Sequence, residues 1–320
     1  MKPLLSILSL LTVAVMAATV APPSIEKLDA SLTQLLDEDA KIEKIATGFG
    51  WSEGPVWWKD RLVFSDVPNN TAYVWKEGDA NASVFLKPSG TDEPSTLQGS
   101  NGLAVDAQGH LILCQHGARR IAQLQDDGKF RPLATAYNGQ RFSSPNDLCI
   151  AKDGTVYFTD PPYGLPKGIK PETDFHGVYK RSPQGEVSLV TKAVLWPNGI
   201  ALSLDEKFLY LAVSDNDNPR IAACNLDGSN LHDVFLALPL KKKTNRPGNP
   251  DGMKLDVQGN IWTTGPGGVL ILTPEGKHLG TILLNQPTAN LAWGNDGHTL
   301  YITSNHDLFR VKTLVKGAGF

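Results

Sequence analysis

Residues 148–160 read LCIAKDGTVYFTD: an apolar run, a turn built on Asp and Gly, then a run rich in β-formers. That is the spelling of two antiparallel strands joined by a tight turn. The phrase recurs as LAVDAQGHLILC (103–114), IALSLDEKFLYLAVSD (200–215), MKLDVQGNIWTTG (253–265) and LAWGNDGHTLYITS (291–304), with a shortened form, VWWKDRLVFSD, at 56–66. A second pair of strand signals trails most copies, as in RRIAQLQDDGKFRPL (119–133), GVYKRSPQGEVSLV (177–190), RIAACNLDGSNLHDVFL (220–236) and GVLILTPEGKHLGTIL (268–283). Four short strands per unit is the pattern of a propeller blade.

The turn positions Asp60, Gly109, Gly154, Glu206, Gly259 and Gly297 lie 49, 45, 52, 53 and 38 residues apart. Periods of this size mark propellers rather than shorter solenoid repeats. The predicted fold is therefore all-β, a six-bladed β-propeller over residues 41–320; a β-sandwich is the alternative and gives no reason for the period. The final strand signal, DLFRVKTL, and an early one, KIEKIATG (41–48), stand alone. Pairing them in one blade would close the ring and remove its open edges.

Ahead of the propeller, residues 19–40 form an extension. Within it SIEKLDASLTQLLDE places Ile25, Leu28, Leu32, Leu35 and Leu36 at helical spacing, which predicts one short N-terminal helix. Residues 1–18 carry Lys2, an apolar run from Leu4 to Val15, and small residues at Ala17 and Ala18. That pattern predicts a secretory signal peptide and an exported protein, periplasmic or secreted; the apolar run is short for a membrane span. Cys114, Cys149 and Cys224 each sit in a strand-like apolar run, so they read as free packing thiols and not as a disulfide framework. A net charge of −3 offers no basic field for nucleic acid or anionic lipid.

Counting back from each turn to the start of its strand gives one shared position. It holds Asn101, Asn146, Asn198 and Asp251 in the second to fifth units, Glu53 in the first and Ala289 in the sixth. In a propeller the first strand of each blade lines the central channel, so these side chains converge on the axis. Carboxylates and amide oxygens meeting at one point suit a hard divalent cation, calcium above all, with magnesium or manganese as alternatives; zinc is a further alternative, against which the absence of His and Cys at these positions argues. The competing reading is that the same groups hydrogen-bond strand starts around a watery channel.

GWSEG (50–54) matches the G-x-S-x-G nucleophile elbow. An elbow needs a helix after the serine. Here Pro55, Trp57 and Trp58 follow, which is strand material, so Ser52 reads as a neighbour of Glu53 and not as a nucleophile. Trp51, Trp57 and Trp58 read as core or rim packing.

SEGPVW, SPNDL, YFTDPPYG, WPNGIA and PDGMKLD, taken in this order, resemble the SMP-30/gluconolactonase/LRE-like family of six-bladed propellers, from about Ile42 onward. CQHGARR and FTDPPYGL are similar to the bacterial gluconolactonase-type members. The resemblance implies a calcium-type metal held by Glu53, Asn198 and Asp251, with Asn146 as ligand or substrate contact. It also implies that Asp251 serves as proton donor and acceptor. Ser144 stands where animal members carry a substrate-binding Arg; Arg141 is the nearby candidate, and Asn101 is a further substrate contact.

The expected activity is metal-dependent hydrolysis of a small-molecule sugar lactone, the metal polarising the carbonyl for attack by water. Asp251 is the first candidate for general base and His116, at a strand end, the alternative. Asp160, at the corresponding strand end of the next unit, is expected to bond loop amides. Two rival readings are a calcium-dependent phosphotriesterase or arylesterase of the related propeller type, and a propeller that only binds a partner.

Overall fold

The computed structural model describes residues 21–93 and 97–320. All six turn markers fold back through a left-handed residue, with φ of +60° at Asp60, +83° at Gly109, +87° at Gly154, +54° at Glu206, +85° at Gly259 and +84° at Gly297. Glycine adopts that conformation freely, while a residue with a Cβ spends roughly 1 kcal/mol on it. At the turn that opened the sequence argument, the Gly154 amide donates to the Ala151 carbonyl (2.9 Å) and the Thr155 amide to the Asp153 carboxylate (2.8 Å). Asp and Gly thus have separate jobs: one caps an amide, the other takes the bend.

Each turn joins the first two strands of a blade, and the sheets are six antiparallel units in ring order. Their innermost strands are Ser52–Trp58, Ser100–Val105, Leu148–Ile150, Pro197–Leu202, Met253–Leu255 and Asn290–Gly294. The early strand Glu43–Thr47 pairs with Asp307–Lys312 as the outer strand of the sixth blade, so both chain ends close the ring as the sequence predicts. Buried apolar residues form six clusters, one in each seam between neighbouring blades. The propeller is held by these face-to-face seams, each burying alternate side chains of two adjacent sheets.

The N-terminal helix is present but short, a 3₁₀ helix over Ala30–Gln34 capped by the Asp29 carboxylate on the Ser31 amide (3.0 Å). The residues in front of it, Ser24–Lys27, add a fifth strand to blade 5 against His278–Leu283. Leu32, Leu35 and Leu36 are buried in the seam of blades 5 and 6, which explains the apolar spacing without a long helix. A helix the repeat pattern does not announce, Ala237–Thr244, follows blade 4 and ends at Asn245 in the left-handed conformation. Its composition, ALPLKKKT, carries a proline and no apolar period, so sequence periodicity is blind to it.

The predicted signal peptide lies outside the described residues. No helix among the described residues is long and apolar enough to cross a membrane. All three cysteines are free thiols on or beside seam strands.

Candidate active site on the channel axis

The site begins with irregularities in the innermost strands. Pairing slips between Glu53 and Val56, between Ser100 and Leu103, and between Pro197 and Ile200. Such bulges bend the strand and re-aim a side chain. Each ring residue in blades 1, 2, 4 and 5 is followed by glycine: Gly54, Gly102, Gly199 and Gly252. A Cβ on Gly199 would lie 2.1 Å from the Asp251 carbonyl oxygen, and one on Gly54 equally close to that of Asn101. Glycine here permits blade-to-blade hydrogen bonds: the amides of Gly102, Gly199 and Gly252 donate to the carbonyls of Asn146, Asp251 and Ala289 at 2.7, 3.1 and 2.7 Å. The Asn-Gly pairs are therefore close-approach positions within strands.

These contacts bring the ring residues together. Glu53, Asn101, Asn146, Asn198 and Asp251 all line one cavity of about 440 Å³ at the channel mouth, and His116 lines it with them. Arg141 does not. It is exposed on the hairpin Ala136–Tyr137/Gln140–Arg141, its amide donating to Glu172 (2.8 Å) and its guanidinium to the Ala118 carbonyl (3.4 Å). Ser144 is fully buried: its hydroxyl donates to the Pro161 carbonyl (2.6 Å) and accepts from the Gly164 amide (2.8 Å), which makes it a loop brace. Ser52 is likewise buried, its hydroxyl bonded to the carbonyls of Asn305 (3.1 Å) and Asp307 (3.0 Å), so it is no nucleophile.

The amides of Asn146 and Asn198 touch, Nδ2 of the first donating to Oδ1 of the second (2.8 Å), and Asn198 Nδ2 reaches the Ser214 hydroxyl (3.0 Å). Glu53 accepts from the Gly54 amide (2.9 Å) and, at long range, from the Trp51 indole (3.5 Å). Trp51 is thus a rim residue of the site, while Trp57 stacks on Tyr301 between blades. Asp251 donates its amide to the Thr264 hydroxyl (3.0 Å), but its Oδ1 is buried with no hydrogen-bond partner.

Sequence reasoning missed the layer beneath. One residue past the ring, four blades carry glycine and the other two carry Asp147 and Asn290, in opposite blades 3 and 6. Their side chains meet across the channel, Asn290 Nδ2 donating to Asp147 (3.3 Å), and the glycines leave them room. The signal was the same register advanced by one position. Other missed residues of the cavity, Gln98, Tyr163, Ser214, Asn216, Asn249 and Thr288, come from loops that no register marks.

Three carboxylates therefore share the axis. Burial raises all three above the ordinary carboxylate range; Asp147 adds to the shift at Glu53, and Glu53 and Asp147 add to it at Asp251. Lys254 alone is seen to oppose the shift at Asp147 with its charge. Burial lowers His116 to about 4, so its imidazole is neutral at neutral pH. Asp160 is also buried and raised to about 7, against the pull of the Ser143 and Ser144 amides that it accepts at 2.8 and 2.7 Å. It bonds loop amides, as the sequence led us to expect.

The residues present fit a hard cation. Buried like charges with a partnerless oxygen on Asp251 are what a divalent ion would satisfy. Among the described residues no three His, Cys, Asp or Glu side chains stand at metal-binding spacing, so the Asn amide oxygens would have to complete the shell. An all-oxygen set of that kind suits calcium.

Residues 51–306 match the SMP-30/Gluconolactonase/LRE-like region family. The chain is 40% identical over 311 residues to a gluconolactonase of Zymomonas mobilis, covering 92% of this chain and 87% of that protein. It superposes on the structure of a gluconolactonase from Xanthomonas campestris with a TM-score of 0.79 and 31% identity, over 93% of this chain and 99% of that one. A calcium-binding regucalcin from Agrobacterium tumefaciens shares the fold, with a TM-score of 0.65 and 16% identity over 94% and 97% of the two chains. On the family match and the 40% identity over most of both chains, the chain belongs to the SMP-30/gluconolactonase/LRE-like family.

Proposed function

We propose that the protein is a gluconolactonase-like lactone hydrolase dependent on a divalent cation, calcium by preference. The observation that carries this reading is the cavity in which Glu53, Asn146, Asn198 and Asp251 converge around an unpaired carboxylate oxygen. These four residues would hold the cation, which when bound supplies Lewis-acid stabilisation of the lactone carbonyl oxygen. The hydroxyl-rich ring of a sugar lactone finds polar partners in Asn101, Asn216, Asn249 and Thr288 on the cavity wall. Asn249 is fixed on that wall: its Oδ1 accepts from Lys241 (2.6 Å) and its Nδ2 donates to Asn216 (2.8 Å).

His116 takes the part of base and Asp251 that of ligand. A carboxylate committed to a cation loses basicity, whereas the neutral imidazole of His116, a residue of the cavity lining, keeps an unpartnered nitrogen, Nε2. As a water oxygen bonds to the carbonyl carbon, its proton passes to Nε2. The ring C–O bond then breaks with its electron pair on the ring oxygen, which takes that proton back. Lactone and water become the hydroxy acid, and His116 returns neutral.

The test is hydrolysis of glucono-δ-lactone beside an aryl phosphotriester and an aryl ester, with chelator and with calcium restored. We expect lactonase activity that chelation abolishes and calcium recovers, and a loss of at least about a hundredfold in kcat/KM for Glu53→Gln. Ester or phosphotriester turnover exceeding lactone turnover would overturn the assignment. We further propose export after removal of residues 1–18, which N-terminal sequencing of the protein recovered from its native compartment checks.

A further inference from the structure

We propose that Gln98 is a positioning residue for His116, holding the imidazole in the one tautomer that leaves Nε2 bare. The proposal rests on the hydrolase reading above, and three contacts carry it. The Gln98 side-chain oxygen lies 3.2 Å from His116 Nδ1, and an amide oxygen can only accept, so Nδ1 bears the hydrogen and Nε2 the lone pair.

Gly164 supplies the second contact. A Cβ there would stand 2.4 Å from the imidazole Cγ and 2.5 Å from Nδ1, so only glycine leaves room for the ring at this point. That backbone is fixed in turn: the Gly164 amide donates to the Ser144 hydroxyl, and Asp160 anchors the Ser143 and Ser144 amides. The third is the nitrogen left over. His116 is 2% exposed, its Nε2 has no partner, and it shares the cavity with Glu53 and Asp251. Nδ1 is hydrogen-bonded, the Cβ–Cγ–Nδ1 side is packed against Gly164, and Nε2 is buried and unpartnered on a residue that lines the cavity.

A neutral imidazole has one proton to place, so its tautomer decides whether Nε2 can accept another. Among the described residues, the ionisable groups of the adjoining turn, chain and cavity include Tyr163 on the Pro162–Gly164 turn, Arg119 three residues on and paired with Glu172, Asp160, whose carboxylate holds the loop before that turn, and Glu53 and Asp251 in the cavity. None of them is hydrogen-bonded to the imidazole, so the neutral Gln98 amide sets its proton position.

The experiment pairs histidine ¹⁵N NMR with kinetics on wild type, Gln98→Leu and Gln98→Glu, each calcium-loaded. Wild type should show His116 protonated on Nδ1. Gln98→Leu should lose that single tautomer and drop kcat roughly tenfold to a hundredfold with KM within about twofold. Gln98→Glu restores an acceptor, so it should recover most of kcat at high pH. Its carboxylate favours the imidazolium, so the acid limb of kcat/KM should move to higher pH. An Nε2-protonated His116 in wild type, or a Leu variant unchanged in tautomer and kcat, would overturn the proposal. The expected tautomer without lactone hydrolysis would sink the hydrolase reading and leave the Gln98–His116 arrangement standing.

Discussion

At the scale of single residues, the site is organised by charge that folding has brought together at a cost. Glu53, Asp147 and Asp251 are all held above the ordinary carboxylate range by burial, and the last is pushed further by the first two. A carboxyl whose folded pKa is raised holds its proton in the native state after the unfolded chain has released it. Its stabilisation is therefore present below the unfolded pKa of about 4 and is lost as pH rises through the folded value. His116 has the opposite sign: with a folded value of about 4, it destabilises the fold only below the unfolded value of about 6.5. Between about pH 6.5 and 8 His116 drops out and the raised carboxyls remain, Asp160 at about 7 among them; only the calcium-dependent part of the trend belongs to the three on the axis. In that window the chelated protein should lose thermal stability as pH rises, and the gain in Tm on adding calcium should grow with pH. Glu53→Gln should flatten that trend. A calcium-induced Tm gain that is constant across the window in wild type would contradict the charge-compensation argument.

At the scale of elements, the sequence exposed what repeats and hid what does not. The six turns and the ring residues Glu53, Asn101, Asn146, Asn198 and Asp251 were legible because each blade restates the same register. Asp147 and Asn290 were not, because their position is glycine in the other four blades and looks like turn spelling. Gln98 was invisible for a different reason: it precedes the first strand of blade 2, Ser100–Val105, in irregular chain where no period operates. Arg141 was proposed from proximity in sequence to Ser144, and the intervening hairpin carries it to the surface. The brace between blades 2 and 3 couples loop stability to His116. Asp160 is buried and accepts two backbone amides, and the loop it fixes backs His116. Asp160→Ala leaves two buried N–H groups unsatisfied, a cost of about 2–6 kcal/mol. We expect a lower Tm together with a fall in kcat below that temperature, whereas Asp160→Asn, which keeps one acceptor, should lose less of both. Unchanged kcat in a folded Asp160→Ala protein would separate the brace from the chemistry.

At the scale of the whole molecule, the ring residues come from five blades, so the geometry of the site depends on closure of the circle. Two N-terminal pieces contribute differently. Residues 21–40 add an outer strand to blade 5 and bury Leu32, Leu35 and Leu36 in one seam, but blade 5 keeps four strands without them. Glu43–Thr47 instead completes blade 6, and without it Asp307–Lys312 becomes an open edge beside blade 1. Losing three buried leucines costs several kcal/mol at roughly 2–5 kcal/mol for each large apolar side chain removed. A chain beginning at residue 41 should therefore melt at a lower temperature while keeping its kcat and its calcium response in the cold. A chain beginning at residue 48 loses the strand that locks first blade to last, along with the Ala46 contacts of that seam. It should lose calcium-induced stabilisation and lactonase activity together, and its exposed edge should promote self-association. Melting curves with and without calcium, read beside size-exclusion profiles, distinguish the two truncations. A chain from residue 48 that still bound calcium and turned over lactone would show that the six-bladed ring holds its shape without the closing strand.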